Sequence, residues 1–292
     1  MDTIDLAFVG RGMHEELVAY IADQEDFYAA EGVHVALRDG CDWSNERLRH
    51  VATIGLGRAL LTRLTGGIPW VALTVNTHRP LFWFLARPGL TSLSDLAGRR
   101  LAVHAPRTAP GCFARIALRR AGLDPDRDIE TIVRPPGDYG MDLRQLRDGT
   151  IDAALVGSTM APEAVAAEFG WQVLAWVGDR FQIPTVGVAV DPTYVDPDSP
   201  AVQAVVRAHR RALQVIHTDP ATTVRHMSTF LGRHTADEVH AHYKSFIEPY
   251  YTTDGQVDLS VGAAAIDAVA TELGVPASVS AGEFYLTGEE NS

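Results

Sequence analysis

Arginines and hydrogen-bonding side chains follow several apolar runs of this sequence, a pattern typical of a binding site for a polar ligand. Arg11 lies between Gly10 and Gly12, directly after the first apolar run at residues 4–9. A guanidinium can bind a carboxylate, sulfonate or phosphate through two hydrogen bonds, and glycine lets the backbone approach a ligand closely. The alternative interpretation is a plain tight turn with Arg11 in solvent.

A second polar cluster follows the apolar run at residues 70–75. Asn76, Thr77 and His78 can all form hydrogen bonds there, and Pro80 favours a turn. Because an ordinary histidine titrates near neutral pH, His78 is the candidate general acid or base if the protein is an enzyme. The alternative is a turn histidine that faces solvent.

Charge and cysteine content exclude several classes of function. The chain has 292 residues and a formal net charge of −12, and its arginines are spread among acidic residues, so we expect no nucleic-acid partner. Cys41 and Cys112 are too few and too far apart for a disulfide framework or a zinc site. The sequence contains no metal-spaced cluster, phosphate loop or nucleophile elbow, and we therefore predict neither a metal nor a cofactor.

The start of the chain bears on its compartment. The first apolar run begins at Ile4, which leaves no room for a signal peptide, and no run approaches the roughly 20 apolar residues that insert into a membrane. We therefore expect a cytoplasmic protein. If a leader was removed, the protein is instead periplasmic or extracellular, and only then do we expect a transporter partner. The sequence does not predict the oligomeric state.

The order of the apolar runs predicts an α/β fold with two lobes. Short apolar runs alternate with helical patterns, as in parallel sheets with crossover helices, and this alternation restarts after Pro88 and Gly89. Long helical patterns follow residues 185–190. The predicted division is a discontinuous first lobe, residues 1–88 plus 187–292, and a second lobe, residues 89–186, with hinge crossings near 86–89 and 184–187. Open α/β sheets bind ligands beyond the carboxyl ends of their strands, so we expect one ligand cleft between the lobes.

Three segments carry a resemblance to a known family. They are FYAAEGV at residues 27–33, LSDLAGRRLAV at 93–103 and LRDGTIDAA at 146–154. In order and spacing they are similar to segments of the nitrate/sulfonate/taurine-type solute-binding proteins, a branch of the type II periplasmic-binding-protein superfamily that includes the thiamine-pyrimidine synthase. The resemblance implies two lobes, each a mixed sheet flanked by helices, and one small polar, anionic organic ligand bound between them.

The resemblance also implies which loop anchors the anion. In this family a loop between a buried strand and a helix places backbone N–H groups against the anion, and Thr108 and Gly111 match that use. Arg107 and two prolines depart from the hydroxyl-rich form of the loop, which leaves the identity of the donors open. Cys112 is either a nucleophile at the helix start or a small buried spacer.

Further contacts are predicted in other loops that follow strands. Trp43 is a candidate aromatic wall beside Ser44, which we expect to cap a helix. Arg180 is a second candidate anion ligand, with an exposed surface arginine as the alternative. The other predicted cleft residues are Gly55, Tyr139, Ser158 and Thr159.

The sequence predicts a binding protein and leaves two alternatives open. One is a cytoplasmic lyase or decarboxylase on the same fold, in which oriented arginines hold a carboxylated substrate and His78 or His104 is the general acid. The other is a cytoplasmic metabolite sensor. The thiamine-pyrimidine synthase activity is not predicted, because it consumes a pyridoxal phosphate bound to a lysine, and Lys244, the sole lysine, lies far along the chain in a helical pattern.

Overall fold

Two mixed sheets form the centre of the molecule, in a computed structural model that describes residues 2–134 and 141–288. The strands are β1 Asp2–Phe8, β2 Val33–Asp39, β3 Ala52–Ile54, β4 Val71–Ala72, β5 Trp83–Ala86, β6 Arg100–Val103, β7 Glu130–Val133, β8 Ala153–Val156, β9 Gln172–Trp176 and β10 Val188–Val190. Within the described residues, the first sheet has the order β2-β1-β3-β10-β4 and the second the order β7-β6-β8-β5-β9. In both sheets the early strands are parallel, and antiparallel pairing enters through β10 and β5.

Helices flank both sheets. They are α1 Met13–Gln24, α2 Phe27–Ala30, α3 Asn45–Leu48, α4 Leu56–Gly66, α5 Ala109–Arg120, α6 Met141–Asp148, α7 Pro162–Phe169, α8 Val177–Arg180, α9 Pro200–Thr218, α10 Pro220–Phe230, α11 Ala236–His242, α12 Leu259–Leu273 and α13 Ala281–Phe284. A 3₁₀ turn covers Leu93–Leu96, and a π-helical segment covers Tyr243–Ile247. None of the described helices is both long enough and apolar enough to cross a membrane.

Local sequence accounts for several element boundaries. The side chain of Ser44 accepts a hydrogen bond from the Arg47 N–H and caps α3, as predicted. Gly274 ends α12 with a φ of 67°, a left-handed conformation that glycine adopts without strain. On α1, the apolar positions Leu17 and Ile21 recur at a helical spacing and are fully buried, where the helix packs on α9.

Strand pairing corrects the predicted boundary after residue 88. The predicted first lobe included residues 81–86, but β5 pairs with β8 and β9 and so belongs to the second sheet. The chain therefore leaves the first sheet between β4 and β5, in residues 73–82, which precede the predicted crossing at 86–89. The apolar run alone could not show this, because a strand buried on both faces looks the same in either sheet.

A charged contact joins helices from the two halves of the fold. Glu272 on α12 accepts hydrogen bonds from Arg115 at 2.5 Å and from Arg119 at 2.8 Å, both on α5. The Glu272 side chain is only 5% exposed, so water screens these bonds less than it screens surface ion pairs. This contact helps to fix the position of one sheet relative to the other, and with it the shape of the cleft between them.

Candidate functional site: the cleft between the two sheets

A cavity of about 680 Å³ lies between the two sheets, a size typical of small-molecule sites. Loops that follow β1 and β3 form one wall, and loops that follow β6 and β8 form the other. Large apolar side chains from both halves line it: Leu61, Phe82, Phe113, Leu143, Val156 and Met160. The cavity therefore offers an organic ligand apolar surface on both sides.

Two helices begin at this cavity, and their N-termini contribute partial positive charge. Gly55 precedes α4 with a φ of 129°, and Thr108 precedes α5; both residues line the cavity. The unpaired N–H groups and the macrodipole of a helix N-terminus favour a negative group. Any side chain at Gly55 would be strained, and a Cβ there would lie 2.2 Å from Val9 Cγ2.

Capping limits the donors that the start of α5 can give to a ligand. Thr108 Oγ1 accepts from the Gly111 N–H at 3.3 Å, and its carbonyl accepts from the Cys112 N–H at 2.8 Å. Pro110 has no N–H. A Cβ at Gly111 would lie 2.1 Å from the Ala105 carbonyl oxygen, so this glycine is needed for close packing of the loop. The N–H groups of Thr108 and Gly111, which were predicted to bind an anion, are thus used within the turn.

Arg58 is held in the cavity wall by neutral oxygens. Its guanidinium donates to the Trp43 carbonyl at 2.7 Å and to Asn45 Oδ1 at 2.9 and 3.1 Å. Among the described residues, no carboxylate lies within ion-pair distance of it, and burial lowers its pKa from the ordinary value. An arginine remains protonated despite such a shift, so Arg58 brings an oriented and uncompensated positive charge to the cavity.

The other cavity arginines differ in their partners. Arg107 lines the cavity from the exposed loop before α5, and no described residue forms a hydrogen bond or ion pair with it. Arg11 is bonded to Asp39 at 2.7 and 2.9 Å and to Asp42 at 3.4 Å. Arg11 is therefore largely balanced by acidic neighbours, and Arg107 is not.

Arg134 forms a buried ion pair in the second wall. It donates to Asp142 at 2.7 Å, and the two side chains are 9% and 3% exposed. Arg134 also contacts Nε2 of His104. Burial and the charge of Arg134 lower the pKa of His104 to about 3, so its ring is neutral at physiological pH.

The adjacent residues His14 and Glu15, on the first turn of α1, form a polar patch on the first wall. His14 is 3% exposed, and neither of its ring nitrogens has a hydrogen-bond partner among the described residues; the same is true of Glu15 Oε2. Burial lowers the pKa of His14 to about 3. Burial and the nearby Glu16 raise the pKa of Glu15 to about 8, so at neutral pH the patch is mostly uncharged but polar.

Phe82 forms an aromatic surface between two of these histidines. Its ring makes edge-to-face contacts with His14 and His104, with centroids 6.0 and 6.3 Å apart. Phe82 lies in the crossing between β4 and β5, so the surface it forms joins the two walls.

Neither cysteine is suited to nucleophilic chemistry. Burial, followed by the hydrogen bond and charge of Asp39, raises the pKa of Cys41 to about 12. Burial and Glu272 raise the pKa of Cys112 to about 12, and Cys112 is fully buried in the core. Both are therefore thiols at neutral pH, and Cys112 lies in the core as a small buried side chain.

The cavity brings together part of the predicted site. Six predicted contacts line it: Arg11, Gly55, Arg107, Thr108, Ser158 and Thr159. Eight others do not: Gly12, Trp43, Asn76, Thr77, His78, Gly111, Cys112 and Arg180. Tyr139 lies outside the described residues.

In the predicted cluster after β4, the side chains of Thr77 and His78 are bonded elsewhere, and the buried amide of Asn76 has no partner among the described residues. Thr77 Oγ1 donates to the Tyr250 carbonyl at 2.9 Å, and His78 Nε2 accepts from the Asp258 N–H at 2.9 Å. Asn76 is buried in the crossing, where its backbone N–H donates to the Val186 carbonyl at 2.7 Å. Burial lowers the pKa of His78. The placement of His78 as the acid or base of the cleft is therefore wrong: a C-terminal segment covers it.

The other misplaced residues have structural contacts of their own. The Arg47 guanidinium stacks on Trp43, 3.5 Å from the ring centroid. Gly12 lies at the contact between the halves, where a Cβ would be 3.0 Å from Thr159 Cγ2. Arg180 is exposed at the end of α8, which agrees with the surface alternative.

Sequence reasoning missed His14, Glu15, Arg58 and Phe82. His14 and Glu15 follow the Gly10–Gly12 loop that was singled out, and Arg58 closes the loop that begins with Gly55. Their positions directly after predicted strands were an available signal, because the first turn of a helix lies at the same sheet edge as the loop before it. Phe82 was assigned to a strand and carried no such signal.

Solved structures share this fold over nearly the whole chain. The alkanesulfonate-binding protein SsuA from Xanthomonas axonopodis pv. citri, bound to MOPS, is 14% identical, with 99% of each chain covered and a TM-score of 0.76. The periplasmic aliphatic sulphonate-binding protein SsuA from Escherichia coli is 16% identical, with 94% and 92% covered and a TM-score of 0.73. The desulfurization enzyme DSZB is 15% identical, with 94% and 92% covered and a TM-score of 0.67.

These likenesses define the class of protein: a two-lobed chain with the type II periplasmic-binding-protein fold. More particularly, residues 89–231 match the NMT1-like family. No curated protein matches the chain. The resemblance noted in the sequence, to solute-binding proteins of the sulfonate and nitrate type, and the fold it implied are both confirmed.

Proposed function

We propose that this protein binds one small organic anion in the cavity between its two sheets. The observation that carries the proposal is the pair Arg58 and Arg107, which line the cavity without a carboxylate partner among the described residues. An ionised ligand group supplies the counter-charge that these guanidinium groups lack. Two neighbours of the same fold are described as sulfonate-binding proteins, and a sulfonate is such a group.

The charge of the cavity contrasts with that of the whole chain. Four arginines line it, against the two aspartates Asp42 and Asp142, while burial holds the pKa of Glu15 at about 8. The chain as a whole has a formal net charge of −12. A locally positive cleft in an acidic protein favours anions over cations and draws them toward the site.

The apolar walls support an organic ligand over a bare inorganic anion. Phe82, Phe113 and Met160 line the cavity together with the arginines. Apolar contacts contribute affinity in proportion to the area removed from water, about 25 cal/mol per Å². A ligand with a hydrocarbon body and one anionic end therefore satisfies both kinds of lining.

Binding of an anion can be tested with a thermal-shift panel of short alkyl and aromatic sulfonates and carboxylates, each paired with its neutral amide. We expect anions, and not the amides, to raise the melting temperature. Arg58→Ala and Arg107→Ala should each weaken binding by about tenfold or more, whereas Arg127→Ala, which removes a surface arginine whose side chain is 85% exposed, should have no effect. Equal stabilisation by amides, or full binding by both cavity variants, would contradict the proposal.

The proposal extends to a transporter partner and a location outside the cytoplasm. The expectation of a cytoplasmic protein gains no support from the neighbours, since the Escherichia coli protein is described as periplasmic, as is a sulfonate-binding SsuA assigned to an ABC transporter.

The lyase alternative is not favoured. Of its two candidate general acids, His78 lies away from the cavity, and His104 lines the cavity with a pKa lowered to about 3, so its ring is not protonated at physiological pH.

A further inference from the structure

We infer that the ligand carries a hydrogen-bond donor, a hydroxyl or an ammonium, in addition to its anionic group, and that His14 and Glu15 bind this donor. The inference rests on the proposed function and narrows the class of ligand. It excludes simple alkyl or aryl anions as the preferred occupant of the cavity.

The first observation is that His14 is buried with unused hydrogen-bonding capacity. The residue is 3% exposed and lines the cavity, and both ring nitrogens lack a partner among the described residues. Its backbone N–H, by contrast, donates to Ser158 Oγ at 2.7 Å. Buried polar groups in folded proteins are nearly always hydrogen-bonded, so an unpartnered ring beside a cavity indicates a ligand contact.

The second observation is that the next residue, Glu15, also has a buried polar atom without a hydrogen-bond partner. Its Oε2 is buried and unpartnered, and the residue lines the same cavity. A Cβ placed on Gly55, another lining residue, would lie 3.3 Å from this oxygen, so the carboxyl group extends toward the start of α4. Two adjacent side chains with free acceptor atoms therefore lie on one wall.

The chemistry of these groups indicates a donor on the ligand. A neutral imidazole has one acceptor nitrogen, and a carboxyl group accepts in either protonation state. Arg58 and Arg107 already supply donors for the anionic end. A ligand with a second, donor-bearing group would form hydrogen bonds with the arginines through its anion and with His14 and Glu15 through its donor. A purely alkyl anion would leave His14 and Glu15 buried without partners.

The surroundings of Glu15 determine how the two kinds of donor differ. The titratable groups coupled to Glu15 by charge are Glu16, its neighbour on α1, Cys41 in the loop after β2, and Tyr251 in the C-terminal half; none of the three brings a positive charge. The pKa of Glu15 is raised to about 8, so the group is mostly protonated near pH 6.5. A bound ammonium would stabilise the carboxylate and release this proton, and a hydroxyl would not.

Three sulfonates of equal chain length test the inference: propane-1-sulfonate, 3-hydroxypropane-1-sulfonate and 3-aminopropane-1-sulfonate. Their affinities are measured by calorimetry near pH 6.5 in two buffers of different ionisation enthalpy, which counts the protons released. We expect the hydroxyl or the amino compound to bind about tenfold or more tightly than propane-1-sulfonate. Release of close to one proton identifies the ammonium as the natural donor, and its absence identifies the hydroxyl.

Variants locate the preference at the proposed wall. Glu15→Met and His14→Phe remove the acceptors with little change in size. Each should reduce the preference for the hydroxyl or amino compound over propane-1-sulfonate to within about threefold, while propane-1-sulfonate still binds. Glu130→Gln, on the exposed face of β7, is the matched control and should leave the preference intact. Circular dichroism checks that the variants fold; if either does not, the comparison of the three compounds on the unmodified protein decides.

The outcomes separate this inference from the function on which it rests. Equal affinity for all three sulfonates would contradict the inference that the ligand carries a hydrogen-bond donor, and would leave the proposal of anion binding intact. Failure of all three to bind, with no anion bound in the wider panel, would instead overturn the proposed function itself.

Discussion

The two walls of the cleft hold their arginines in different ways. On the first wall, neutral oxygens of Asn45 and Trp43 orient Arg58. On the second wall, Arg134 pairs with Asp142 at 2.7 Å, and both side chains are nearly inaccessible to water. The first arrangement fixes the direction of a positive charge without cancelling it, and the second cancels the charge.

The difference separates a residue that is ready for a ligand from one that supports the wall. A guanidinium held by neutral acceptors keeps its attraction for an anion, and little side-chain entropy remains to be lost when the anion binds. A guanidinium already paired with a buried carboxylate gains less from a second anion. We therefore assign anion binding to Arg58 and a structural role to the pair of Arg134 and Asp142.

The largest expected effect is on stability, from breaking the buried pair. Arg134→Ala removes the guanidinium that pairs with the buried Asp142 at 2.7 Å, and breaking such a buried pair typically lowers the free energy of unfolding by about 3–5 kcal/mol. Arg58→Ala loses only hydrogen bonds to neutral groups and should lower it by about 1 kcal/mol. Urea denaturation measures both. The double variant Arg134→Leu with Asp142→Leu should recover much of the loss, since apolar residues often replace a buried pair without penalty.

Equal destabilisation by Arg58→Ala and Arg134→Ala would remove the distinction between the walls. In that case Arg58 would be as structural as Arg134, and the anion contact would fall to Arg107 alone.

The second expected effect concerns the polar patch of the first wall. The pKa of Glu15 rises from an ordinary value of 4.5 to about 8 on folding, so the folded state retains a proton that the unfolded state releases. The stability that this gives is complete below pH 4.5 and is lost as the pH rises to 8. Glu15→Gln keeps the size of the side chain and removes this titration. Between pH 5 and pH 9 the unmodified protein should therefore lose about 4 kcal/mol more stability than the variant, because one unit of pKa shift corresponds to about 1.4 kcal/mol.

Denaturation curves at several pH values check this expectation. Parallel pH dependences for the unmodified protein and Glu15→Gln would mean that Glu15 ionises normally in the folded state. The first wall would then carry a negative charge, and its contrast with the second wall would be smaller.

The sequence predicted the fold well because the fold depends on the spacing of apolar residues and on the capping and turn residues that separate helices and strands. Alternating strands and helices and the cap at Ser44 are local signals, and each is where it was expected. The boundary after residue 88 was wrong because sheet membership is a property of pairing. β5 joins the second sheet through β8 and β9, and nothing in its four apolar residues specifies those partners.

The site was less predictable, and for a related reason. Asn76, Thr77 and His78 looked like cleft residues because they follow an apolar run. A segment more than 170 residues further along the chain supplies the Tyr250 carbonyl that binds Thr77 and the Asp258 N–H that binds His78. Local sequence identifies which residues can form hydrogen bonds, but only the tertiary contacts show which of these residues already have partners.

The smallest expected effect concerns the point where the two walls meet. Ser158, in the loop after β8, accepts a hydrogen bond from the His14 N–H at 2.7 Å, between residues 144 positions apart. Ser158→Ala should lower the free energy of unfolding by about 1 kcal/mol, because this bond is buried and the N–H would keep no partner. Ser94→Ala, at an exposed serine of the 3₁₀ turn, is the matched control and should change it by less than about 0.5 kcal/mol. If the two variants are equally stable, the bond between Ser158 and His14 contributes nothing to holding the first wall against the second, and the cleft is shaped by the contact of α5 with α12 instead.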